Sequence, residues 1–140
     1  DRQSATEFFH YLYMKAKFTD LASKFKYFAI YYWLSASVPR RLLGCAWRDE
    51  GVTLDSRGEL YYCAVKSRRI GGLRENGGEK IFFDTDNISY RASLVRDSCD
   101  GCIHDYSGDT TIRDLFVFYK HIFIERYSMT LYKIKLGFIR

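Results

Sequence analysis

The sequence predicts an α+β fold: a small β-hairpin and a loop-rich four-Cys metal-binding core, flanked by N- and C-terminal α-helices. Three observations predict it. Apolar residues recur at helical spacing near both ends of the chain, the pattern of amphipathic helices. Two short runs suited to strands, Val52, Thr53, Leu54 and Glu59, Leu60, Tyr61, Tyr62, are joined by Asp55-Ser56-Arg57-Gly58, a polar turn whose glycine can take a positive φ. All four cysteines fall in the middle, as C-x12-G-x4-C (Cys45, Gly58, Cys63) and C-x2-C (Cys99, Cys102).

In chain order, Ser4 or Thr6 can cap a first helix through Phe8, Phe9, Leu12 and Tyr13. Thr19 and Asp20 can open a second through Leu21, Phe25, Phe28 and Tyr32. The single proline, Pro39, ends this helical part and delivers the chain to Cys45. The hairpin then folds back, so that Cys45, before one strand, and Cys63, after the other, can approach a common centre. Residues 66–79, with Gly71-Gly72 and Gly77-Gly78, read as a loop; they lack the G-x4-G-K-[S/T] pattern of a phosphate-binding loop. Residues 87–97, with Ile88, Leu94 and Val95, read as a short helix that presents Cys99-Asp100-Gly101-Cys102 at its exit. A last helix, capped by Thr110 or Thr111, is expected from 112 towards 132 through Leu115, Phe116, Tyr119, Phe123 and Tyr127.

With 140 residues, 47% hydrophobic and 18% aromatic, the chain can bury a core without disulfide staples, and its length suits one domain. The net charge of +5 permits nucleic-acid or anionic-surface binding but does not require it, because the 22 Lys and Arg are dispersed among 17 Asp and Glu. Lys24-Phe25-Lys26-Tyr27-Phe28 interleaves cations with rings, as a base-stacking platform would. At helical spacing it reads more simply as a core-facing stripe with lysines at its margin. Residues 27–38, the most apolar stretch, fall short of the roughly 20 needed to cross a bilayer. No charged start, apolar run and small-residue cleavage site marks a signal peptide. A soluble, cytoplasmic protein is expected, with no membrane partner, and nucleic acid is not an expected partner.

The cysteine spacing reads as one metal-binding site of four thiolates. Two disulfides, or four unrelated buried thiols, remain the plainer alternatives, since cysteine totals alone exclude neither. Soft thiolates select iron–sulfur clusters, zinc or copper(I), and four of them leave no open position for substrate. A closed site points to structure or electron transfer rather than Lewis-acid catalysis. The hairpin, the loop and the C-x2-C segment are expected to meet only at the metal, which would couple binding to folding.

Leu43-Gly44-Cys45, the run from Gly51 through Val52-Thr53-Leu54-Asp55-Ser56-Arg57-Gly58-Glu59-Leu60-Tyr61-Tyr62 to Cys63, Ile70-Gly71-Gly72-Leu73 and Cys99-Asp100-Gly101-Cys102 together resemble the C-terminal auxiliary-cluster domain of radical S-adenosylmethionine enzymes, the SPASM domain and its shortened Twitch form. The resemblance covers residues 40–108. A SPASM pattern continues the C-x2-C as x5-C-x3-C; here that position is Gly108 and no cysteine follows Cys102. The resemblance therefore implies the Twitch form: residues 1–44 as a helical lead-in, 45–109 as a Twitch-like four-Cys cluster-binding domain, and 110–140 as a C-terminal helix. It implies one [4Fe-4S] cluster on Cys45, Cys63, Cys99 and Cys102, serving electron transfer or closure of a substrate site.

The C-x3-C-x2-C motif of the radical-generating cluster is absent from the sequence. The chain is expected to be a non-catalytic fragment or domain whose partner is a radical S-adenosylmethionine barrel, in the parent chain or in another; S-adenosylmethionine would enter only through that barrel. A structural zinc-binding interaction module, with the same four cysteines as ligands, is the alternative. Zinc ribbons, however, favour two close C-x2-C knuckles, and here 17 residues separate the first pair. His10 and His121 read as helix residues without catalytic partners. His104-Asp105 follows Cys102, so the His104 ring is a candidate donor to a cluster sulfur, with a solvated loop residue as the plain reading. Lys66, Arg68 and Arg69 are candidates to offset the charge of a thiolate site.

Overall fold

The computed structural model describes residues 1–49, 51–104 and 107–135, with residue 49 and residues 129–135 described as backbone only. Helix α1 spans Arg2–Lys15. It starts earlier than Ser4 or Thr6 because the Asp1 carboxylate accepts the Gln3 amide at 2.9 Å and takes the cap. Thr6 lies inside the helix, where its hydroxyl donates to the Arg2 carbonyl. Helix α2, Leu21–Ser35, is capped by Asp20 as expected, with the Ser23 amide 3.1 Å from its carboxylate.

These two helices pack on the long helix α7, Ile112–Lys135. Tyr13, Phe25, Phe28, Ala29, Ile30, Leu34, Leu42 and Phe118 form the buried core between them. Lys24 is not marginal to this core but within it, 4% exposed. Its ammonium donates to the carbonyls of Tyr13 (2.7 Å) and Ala16 (3.0 Å) and lies over the Tyr13 and Phe18 rings. It thereby satisfies acceptors that the end of α1 leaves unpaired. Burial pushes its pKa down. On α7 the apolar stripe faces the other way from the simplest expectation. Phe118 is the buried ring, while Phe116, Tyr119, Phe123 and Tyr127 point outward.

The second region begins with a short helix α3, Ala46–Asp49, followed by strands β1, Thr53–Leu54, and β2, Glu59–Tyr61. They pair antiparallel, Thr53 opposite Tyr61 and Leu54 opposite Leu60. Gly58 turns the chain with φ 84°, a conformation open to glycine at little cost. The Asp55 carboxylate accepts the amides of Arg57 and Glu59, which fixes the turn.

The segment 66–79 is not a plain loop. Arg69–Gly72 forms strand β3, antiparallel to β2 with an irregularity at Leu60/Tyr61, and helices α4, Leu73–Asn76, and α5, Gly78–Phe82, follow. A strand of Arg-Ile-Gly-Gly carries no apolar alternation; backbone pairing and ion pairs of Arg69 with Glu59 and Glu75 place it. Helix α6, Thr85–Ser98, starts before residue 87 because Asp84 caps it through the amides of Asp86 and Asn87. Leu60, Tyr62, Ile81 and Leu94 are buried on this side of the molecule.

Candidate metal centre

Four cysteines reach the site from three stretches of chain. Cys45 precedes α3, and its carbonyl accepts the Arg48 amide. Cys63 follows β2, and Cys99 closes the C-terminal end of α6. Cys102 comes one turn later, its amide donating to the Cys99 carbonyl at 3.1 Å. No disulfide joins any of the four to another. All four line one cavity, together with Arg41, Arg48, Lys66, Arg91 and apolar side chains that include Trp47, Tyr62 and Leu94. The space measures about 40 Å³, against the roughly 10–15 Å³ that holds one water.

Backbone donors already point at two of the sulfurs. The Lys66 amide lies 3.2 Å from Cys63 Sγ and the His104 amide 3.4 Å from Cys102 Sγ. His104 thus meets a sulfur through its main chain, whereas the expectation concerned its ring; Asp105 lies outside the described residues. Cys99 feels the other thiols. Burial raises its pKa, the nearby sulfurs of Cys45 and Cys63 raise it further, the Arg48 guanidinium opposes this, and Cys102 adds a smaller push upward. Among the described residues no three His, Cys, Asp or Glu side chains are grouped tightly enough to hold one metal ion. The thiols therefore surround a common space without closing on a single point.

The segments do not depend on a metal to meet. Arg41 donates to the carbonyls of Leu43 (3.2 Å) and Gly44 (2.9 Å) on the Cys45 side, and of Cys102 (2.7 Å) and His104 (2.8 Å) on the other. One planar guanidinium with five N–H donors spans both cysteine segments. The Gly44 amide donates to the Asp109 carbonyl at 2.7 Å, and Trp33 Nε1 donates to Asp100 O at 2.9 Å. Arg91 reaches from α6 to the carbonyls of Arg48 and Trp47 while stacking over Tyr62 and Phe82. The expectation that these stretches meet only at the metal is corrected by this network.

Gly108 gives the absence of a further cysteine a physical reason. A Cβ built there would lie 2.3 Å from the Cys45 amide nitrogen and 2.5 Å from the Gly44 carbonyl carbon. No side chain fits between these two backbones.

Of the expected charge partners, only Lys66 lines the cavity. Arg69 is held by Glu59 and Glu75, and Arg68 sits 4.4 Å over the Tyr90 ring. Arg41, Arg48 and Arg91 line the cavity as well, and nothing in their sequence spacing relative to the cysteines marks them. His10 and His121 lie in the helical bundle near Glu125, with His121 Nε2 at 3.1 Å from its carboxylate. Comparison of this chain with protein-family models, with curated proteins and with solved structures finds no match.

Proposed function

We propose that this chain is an auxiliary-cluster domain of the Twitch type, in which Cys45, Cys63, Cys99 and Cys102 would hold one [4Fe-4S] cluster. The observation that carries the reading is the convergence of four cysteines with no disulfide between them, from three stretches of chain, on one cavity. Two further features support it. Amides aimed at Cys63 Sγ and Cys102 Sγ are the donors by which proteins set the charge and potential of thiolate-bound iron. Arginines and Lys66 around the cavity offset the negative charge of four thiolates.

When bound, such a cluster supplies one-electron transfer. The chain's own residues would then ligate it, shield it with Trp47, Tyr62 and Leu94, and tune it with the two amides. The radical step itself would belong to a barrel bearing S-adenosylmethionine, in the parent chain or a partner chain.

Anaerobic purification followed by iron, sulfide and zinc analysis tests the proposal. About four irons and four sulfides per chain are expected, lost in Cys63→Ser, with a paramagnetic signal on reduction. Stoichiometric zinc without sulfide, even after anaerobic reconstitution, overturns it in favour of a structural zinc module.

A further inference from the structure

We infer that the outward face of α7 is a docking surface for an anionic lipid surface. The inference does not rest on the metal centre. Helix α7 carries two apolar faces. Phe118, 1% exposed, anchors the inner one in the bundle. On the outer one Ile112, Phe116, Tyr119, Phe123, Ile124 and Tyr127 stand in solvent, with Phe116 and Phe123 70% and 71% exposed. Counting an aromatic side chain at about 200 Å², these four rings leave roughly 500 Å² exposed before the isoleucines are added, already the size of the largest patch on a typical monomer. A globular bundle gains nothing from rings so placed, since they make no core.

Charge decides what covers them. Arg113, Lys120 and Arg126 are the charged residues on the exposed side of the described helix side chains, Arg126 lying over the exposed Phe18 ring, 4.4 Å from its centre. The two acidic residues of this stretch face inward: Asp114 pairs with Arg40 at 2.7 Å, and Glu125 accepts from the Tyr13 hydroxyl at 2.8 Å. The surface is thus an aromatic ridge with cations beside it and, among the described side chains of the helix, no anion. A second copy of the same face would set cation against cation. A protein partner would need a groove with an acidic rim, whereas anionic headgroups over acyl chains meet a convex aromatic ridge without one. Rings seat at the headgroup boundary and lysine and arginine extend to the phosphates. No helix of the described residues is long and apolar enough to cross a membrane; surface association needs one apolar face and no span.

Sedimentation of the 140-residue chain with phosphatidylcholine vesicles, with and without about one-third phosphatidylserine, tests this. Partitioning about tenfold stronger to the anionic vesicles, weakened at high salt, is expected. Phe116→Ser with Phe123→Ser should lower it about tenfold at unchanged circular dichroism and melting temperature, because both rings lie outside the core. Arg113→Glu with Lys120→Glu should remove the preference for phosphatidylserine. Equal binding to both vesicles, binding untouched by the phenylalanine changes, or a concentration-dependent dimer that those changes abolish without any vesicle binding would each overturn the inference.

Discussion

Around Phe28 the protein is held by ring against ring: Tyr13, Tyr32, Phe118 and His121 all lie with ring centres within 6 Å of it. Around Cys45 it is held by donors against carbonyls, with Arg41, Trp33 and the Gly44 amide each spanning two stretches of chain. The first region derives its stability from buried area, which many side chains share. The second concentrates its organisation in a few polar groups, so that shape there is set locally and lost locally. The difference teaches where a substitution acts: on the whole fold in the bundle, on the placement of thiols at the cavity.

Phe28→Ala should expose the contrast most strongly. Phe28 is 0% exposed, and its removal is expected to cost about 3–5 kcal/mol of global stability in urea titration, with the thiols unaltered in the fraction that stays folded. Arg41→Ala comes next. Losing a charged donor to four carbonyls is expected to cost about 2 kcal/mol. Its distinguishing effect is faster hydrogen exchange at Gly44 and His104, with iron retention lowered and the bundle amides unchanged. Arg41→Lys should rescue little, because one ammonium cannot span both segments. If Arg41→Ala loosened the bundle amides as much as those of Gly44 and His104, the two regions would not be separable.

Much of the bundle and of the hairpin could be read from the sequence because their signals are local. Asp20 caps where an N-cap residue precedes an apolar run, and Gly58 sits where a hairpin needs its freedom. The cysteines likewise announce a shared centre, and the cavity gathers them. What remained hidden is long-range. Arg41 acts on carbonyls 61 and 63 residues away, and β3 is placed by pairing with β2 rather than by any pattern of its own. The outward turn of Phe116 and Phe123 was equally illegible, since helical spacing gives a stripe but not the side on which the core lies.

The smallest expected effect concerns the hairpin that joins the two halves of the four-Cys motif. Hydrogen bonds, first from the Glu59 amide and then from Arg57, hold the Asp55 carboxyl below its ordinary range. A depressed pKa in the folded state contributes stability above the unfolded value of about 3.9 and loses it as pH falls through the lower folded value. Hairpin amide exchange should therefore quicken below that range, and Asp55→Asn should make it insensitive to acid there. An Asp55→Asn protein with the acid response of the parent would assign the effect elsewhere.

The chain has two tryptophans: Trp47 lines the cavity, and Trp33, on α2 and packed against the bundle core, is tied to the Asp100 carbonyl between Cys99 and Cys102. Intrinsic fluorescence of this protein is therefore a lamp at the seam between the two regions. Trp47 reports on the neighbourhood of the cysteines, Trp33 on the place where α2 meets them, and a dark chromophore loaded in the cavity would quench both indoles.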